Sequence, residues 1–148
     1  MTDLKTRITE DVKIAMKAGE KDRVMLLRML TAELKQREVV EQIVLTDAAV
    51  IAAIEKMLKQ RKDSESQFRA AGRAELADKE AAEIAGLMVY LPTQLSDAEL
   101  DGILAEVIAE TGAAGPKDMG KVMAAIKPKV AGKTDMGALS AKIKAKLA

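Results

Sequence analysis

Residues 47–72 read DAAVIAAIEKMLKQRKDSESQFRAAG, and the fold class follows from this stretch. Val50, Ile54, Met57, Arg61, Ser64, Phe68 and Ala71 recur at alternating steps of four and three, the spacing that keeps one face of a helix against its neighbours. Thr46 and Asp47 offer an N-cap in front of it, and Gly72 is placed to end it as a left-handed C′ residue. A long helix over about 47–71 is predicted. One member of the stripe is out of character, because Arg61 falls near the centre of the apolar face, where an unpaired guanidinium is very costly. Such a residue is either a structural ion-pair partner, with Glu80 or Glu83 the nearest carboxylates, or an arginine held for a ligand.

Working outward, the same period recurs almost everywhere. Toward the N-terminus, Leu4, Ile8, Val12 and Ala15 form a stripe ending near Gly19. A second helix is expected over about Lys21 to Arg37, with Val24, Leu27, Leu30 and Leu34 inward, and Val39 to Leu45 read as a short extended connection. Toward the C-terminus, a helix over about Glu75 to Leu91 carries Ile84, Leu87, Met88 and Leu91 and is ended by Pro92. Ser96 with Glu99 three residues on forms a capping box. The helix it opens buries Leu100, Ile103, Leu104, Val107 and Ile108 and stops around Gly112. Gly115-Pro116 precedes a sixth helix, about Lys117 to Lys127, broken by Pro128 and Gly132. A seventh carries Leu139, Ile143 and Leu147 on one face. The chain is therefore expected to be all-α, with an N-terminal helical domain (1–92) built on the long third helix and a small three-helix tail domain (93–148). Met25, Met29, Met57 and Met88 are expected in the core.

Composition narrows the chemistry. The 148 residues are 49% apolar and 32% charged, enough for a real core under a solvated surface. With no His and no Cys, zinc sites, Ser-His-Asp and Cys-His mechanisms and disulfides are excluded. Phe68 and Tyr90 are the only aromatics, too few for a base-stacking platform or an aromatic-lined cofactor pocket. Gly115 to Lys121 holds the closing Gly-Lys of a phosphate loop, but Val122 follows where Ser or Thr should bind magnesium. No catalytic residue, metal or cofactor is expected. No window approaches the ~20 apolar residues of a membrane span, and Met1 to Lys5 lack a signal-peptide core, so a cytoplasmic protein is expected.

The formal charge of +1 conceals a strong polarity. Residues 1–92 carry 16 basic and 16 acidic side chains, residues 93–110 five acidic and no basic, and residues 111–148 eight Lys against Asp118 and Asp135. The last two segments thus sum to −5 and +6. Two readings of the tail lysines stand open: a phosphate-gripping surface, or a solvated face pairing with the acidic helix beside it. A second basic concentration lies along the third helix, where Lys59, Lys62, Arg69 and Arg73 are expected within a sector of roughly 80°.

Several segments together resemble the GatB/YqeY family. They are Lys59-Gln60-Arg61 with Ser64, Phe68 with Ala71-Gly72-Arg73, Leu76, Lys79-Glu80 and Glu83, then Tyr90-Leu91-Pro92 with Gln94-Leu95. Further on come Asp118-Met119-Gly120-Lys121-Val122-Met123 and Lys127-Pro128-Lys129. The series spans essentially the whole chain. It departs from the family's pattern at Met136, where relatives commonly carry Gly after the Asp, with Gly137 next to it. The resemblance implies an all-helical protein in two parts, related to the C-terminal helical and tail region of the tRNA-dependent amidotransferase B subunit, which helps hold mischarged tRNA. The family label also carries a carbon–nitrogen ligase activity with glutamine as amido donor, but this chain has neither the amidase nor the catalytic cradle.

On that footing the expected function is a non-catalytic tRNA-binding accessory protein. Lys59, Lys62, Arg69, Arg73, Lys117, Lys121, Lys127, Lys129, Lys133 and Lys142 would touch phosphates, and Arg61, Glu80 and Glu83 would form a structural ion pair. The alternative is a helical module docking on an amidotransferase, aminoacyl-tRNA synthetase or other translation complex through exposed Met and Leu. A ligase acting alone is the least favoured reading.

Overall fold

The computed structural model describes residues 3–148; Met1 and Thr2, which begin the stretch read above as lacking a signal core, lie outside the described residues. Among these residues there are seven α-helices: α1 (Leu4–Ala18), α2 (Lys21–Glu41), α3 (Asp47–Ala70), α4 (Ala74–Met88), α5 (Asp97–Thr111), α6 (Met119–Val130) and α7 (Met136–Leu147). None is long and apolar enough to cross a membrane. A single turn of 3-10 helix, Pro116–Asp118, leads into α6. The chain divides into two compact units, Met1–Leu91 and Pro92–Ala148, each with its own aliphatic core.

Local chemistry sets the helix ends. Asp3 and Thr46 cap α1 and α3 by accepting from the amides of Thr6 and Ala49. At the end of α3 the Arg73 amide donates to the Phe68 carbonyl at 2.8 Å and the Gly72 amide to Arg69 at 3.1 Å, with Gly72 at φ 72°. That pair of bonds is a Schellman motif, and it turns the chain directly into α4. In the first unit α3 packs most extensively on α4 and α1 on α2, around Ile8, Leu27, Leu30, Leu34, Val50, Ile54 and Leu87. Gly86 eases the close approach of α2 and α4, since a Cβ there would stand 2.7 Å from Leu26 Cδ2 and the buried leucine would have to shift.

Four helix boundaries and three burial assignments differ from the sequence expectation. Helix α2 does not give way to an extended Val39–Leu45 connection but runs to Glu41, ending where Gln42 turns left-handed at φ 53°. β-branched residues cost a helix only tenths of a kcal/mol, while Lys5 meets Glu38 and Arg37 meets Glu41 across this last turn. Helix α4 stops at Met88, three residues short of Leu91, because the chain turns to bury Tyr90 and the residue before Pro92 disfavours the helical conformation. Helix α6 begins at Met119 rather than Lys117, which sits in the 3-10 turn, and it continues through Pro128 to Val130. Pro128 and Ala124 are both exposed, so the carbonyl left without its amide faces water, while Val130 gains a fully buried position. Met25 and Met29 are 62% and 51% exposed rather than core, and Ala71 is exposed at the end of its stripe.

Arg61 is only 8% exposed. Its Nε donates to Glu83 Oε2 at 3.0 Å, with a longer bond from Nη1 to the Met57 carbonyl and Nη2 against Met29 Sδ. Glu80 does not come within ion-pair distance of it. At the far end of α4, the Tyr90 hydroxyl donates to Asp11 Oδ2 at 2.6 Å, and the Arg7 guanidinium stands 5.0 Å over its ring. Burial, then the Asp11 carboxylate, pushes the phenol up to about 12.

Arg61→Met should lower the stability of the first unit by about 2 kcal/mol or more, because it leaves Glu83 without its partner in a poorly solvated place. Thermal melting should show Arg61→Lys recovering part of this, and Arg61→Met with Glu83→Leu recovering most; equal melting of Arg61→Met and wild type contradicts the assignment. For Tyr90, a folded-state value above the ordinary one near 10 means stability that is whole below about pH 10 and is lost as pH rises to about 12. Urea titrations of wild type and Tyr90→Phe across this window should converge as pH rises, the lysines cancelling between them, whereas parallel curves exclude the linkage.

Candidate nucleic-acid interface

In the second unit α6 is central, with α5 and α7 both packed against it around Leu104, Val107, Val122, Ile126, Val130, Leu139 and Ile143. Ser96 and Glu99 make the capping box that opens α5, and Asp135 caps α7 by accepting from the Ala138 amide. The turn between α6 and α7 is fastened to the start of the unit. Leu95 donates its amide to the Lys133 carbonyl at 2.8 Å, and Gln94 Nε2 donates to the Gly132 carbonyl at 2.7 Å. Gly132 takes the left-handed conformation at φ 73°, while Gly137 is helical, so the sharp turn sits ahead of the Asp135-Met136 step.

This framework sorts the tail lysines into two groups. Lys129 pairs with Glu110 at 3.4 Å, and Lys142 with Asp101 at 2.9 Å and Asp97 at 3.6 Å, so both are held by the acidic helix α5. The Lys142 ammonium holds the Asp101 carboxyl below the usual carboxylate range, and Asp101 in turn raises Lys142. By contrast, among the described residues no carboxylate lies within 4 Å of Lys117, Lys121, Lys127 or Lys133; the first three are exposed and Lys133 is half-buried. Lys117 and Lys121 stand at the N-terminal end of α6, and Lys127 and Lys133 at its C-terminal end. A helix of 12 residues is about 18 Å long, so cationic groups mark both ends of one rod.

The basic stripe expected on α3 is not assembled in that form. Lys59 is exposed and Lys62 half-buried on the helix, but Arg73 lies beyond its end, in the turn where α4 begins. Arg69 is taken up by carboxylates, donating from Nε and Nη2 to Glu65 Oε1 and from Nη2 to Asp78 Oδ1 at 3.2 Å. Spacing reveals the wheel position of a charge but not the acid supplied by the next helix, which is why Asp78 was not foreseen. The hydroxyls are similarly engaged: Thr46 and Ser96 cap helices, and Thr111 donates back to Val107 and Ile108 carbonyls. No three acidic side chains among the described residues gather in a way that would hold a metal ion.

Comparison with known proteins gives a consistent lineage. The family model described as Yqey-like protein matches residues 5–147. The chain is 30% identical over 127 residues to "Altered inheritance of mitochondria protein 41, mitochondrial" of Pyrenophora tritici-repentis, covering 82% of this chain and 70% of that protein. It is 32% identical over 95 residues to an uncharacterised protein of Schizosaccharomyces pombe, covering 64% of this chain and 77% of the relative. With the match extending from the first helix to the last, the chain belongs to the YqeY-like family.

Proposed function

We propose that the protein is a non-catalytic RNA-binding accessory factor whose second unit grips folded tRNA through its phosphates. The observation that carries this reading is the set of lysines left without carboxylates, Lys117 and Lys121 at one end of α6 and Lys127 and Lys133 at the other. Flexible ammonium groups at two ends of a rigid rod suit a phosphate backbone, which they engage as point charges without reading bases. The scarcity of aromatics favours folded RNA over single strands, since shape and backbone contacts need no stacking surface. Lys129 and Lys142 contribute less, each being neutralised by α5. Lys59, Lys62 and Arg73 add a weaker, separate patch in the first unit. The kinship suggested by sequence with the amidotransferase B subunit tail agrees with tRNA as the ligand, and binding rather than amide transfer agrees with a chain lacking His and Cys.

Binding of total tRNA should weaken steadily as salt rises. A slope of about −3 in log K against log salt is expected if four or so phosphates are neutralised. Replacing Lys117, Lys121, Lys127 and Lys133 together by Gln should lower affinity at least about tenfold and flatten the slope, while Lys142→Gln should change it little. Affinity that ignores salt, or that is equal for an unstructured RNA of the same length, rejects this function.

A further inference from the structure

Helix α2 is apolar on two opposite faces. The inward face, Leu26, Leu27, Leu30 and Leu34, builds the core of the first unit. The outward one consists of Met25, Met29, Ala32, Gln36, Val39 and Val40, all exposed, with Val39 at 67% and Val40 at 73%. At 100° per residue these six fall within a sector of about 100°, and no charged side chain shares it between Met25 and Val40. The spacing 25, 29, 32, 36, 39 alternates four and three, the a/d seam of a coiled coil, with Met25, Ala32 and Val39 at d and Met29 and Gln36 at a. The flanks of the helix are already occupied: Arg23 and Glu38 meet Asp11 and Lys5 of α1, Leu26 lies against α4 at Gly86, and Met29, though half exposed, touches Arg61 of α3 with its sulfur. The uncharged stripe is what α2 leaves pointing outward.

We infer that this stripe is an isologous dimer interface, in which α2 of a second copy of the chain packs in parallel against it. Charge complementarity selects both occupant and direction. In this heptad frame Arg28 occupies a g position and Glu33 the following e position. In a parallel pair Arg28 of each copy therefore faces Glu33 of the other, two ion pairs by symmetry. Among the described residues neither has an ion-pair partner within its own chain. An antiparallel pair would set g against g and bring Arg28 against Lys35, a like-charge contact. Gln36, the one polar residue on the seam, sits at an a position, where two facing amides hydrogen-bond each other and fix the register.

The chain has no cysteine, which makes the arrangement directly readable. Sedimentation equilibrium of the full chain should give twice the chain mass at high concentration. Met25→Glu with Val39→Glu should raise the dimer dissociation constant at least about 100-fold while leaving helicity and melting of the monomer intact, both sites being exposed. Val39→Cys, oxidised with copper–phenanthroline, should form a covalent dimer, since equivalent d positions meet only in a parallel pair. Arg28→Glu should weaken the dimer about tenfold, and adding Glu33→Arg should restore it. The inference is overturned if the wild type remains monomeric at all concentrations, if Val39→Cys fails to cross-link, or if Arg28→Glu tightens association as an antiparallel pair requires.

Discussion

A guanidinium in the apolar seam of the longest helix is a constraint on everything packed around it. Arg61 stands one turn beyond Met57 on the face of α3 that meets the core, and its charge is tolerable there only because α4 returns Glu83 to within 3.0 Å. That requirement fixes the register of the α3–α4 hairpin, and the Schellman turn at Gly72 sets the direction in which α4 leaves. Once α4 is in register, Gly86 falls against Leu26 and lets α2 approach, and Tyr90 arrives beside Asp11 of α1. The importance of the ion pair lies in register more than in net energy, because a one-turn slip of α4 would strand a buried charge. Aliphatic contacts then supply the bulk of the stability, as they must in a chain with two aromatic residues.

The all-helical class and most helix ends were legible in the sequence, because period 3.6 stripes and capping residues are local signals. Thr46, Ser96, Gly19, Gly72 and Gly112 act where local chemistry places them. The errors came where a tertiary contact overrode a local cue. Val39 and Val40 look like an extended link, yet Glu38 and Arg37 carry the helix past them through contacts with Lys5 and Glu41. Pro128 reads as a breaker, yet its lost hydrogen bond lies on the wet side of α6 while Val130 is drawn into the core. Met25 and Met29 show a limit of another kind. A helix with apolar residues on two faces gives no local indication of which face is buried, and Leu26, Leu27, Leu30 and Leu34 had already claimed the inner one.

The candidate site was legible in composition but not in detail. Counting charge along the chain isolated the Lys-rich tail and the acidic helix before it, and pairing between the two accounts for part of the tail lysines. Lys129 and Lys142 answer the acids of α5, while Lys117, Lys121, Lys127 and Lys133 do not. The difference is one of reach. Helix α5 presents Asp97 and Asp101 to Lys142 of α7 and, from its opposite side, Glu110 to Lys129 of α6, and none of these carboxylates reaches Lys117, Lys121, Lys127 or Lys133. A segment whose charges sum to nearly nothing therefore still offers concentrated positive potential at particular points, which is what a phosphate ligand senses over a screening length of about 8 Å.

The two proposed surfaces reinforce each other by simple mass action. A phosphate grip made from four lysines is weak and salt-sensitive by itself, since each contact is a solvated point charge. If two copies associate through α2, each complex carries two such grips. The second grip then engages a large RNA intramolecularly rather than from the bulk solution. The dimer seam contains no residue of the lysine set, so association and RNA binding can be removed separately. Apparent affinity for tRNA in a Met25→Glu, Val39→Glu background would then fall by the avidity factor alone, with the salt slope per monomer unchanged.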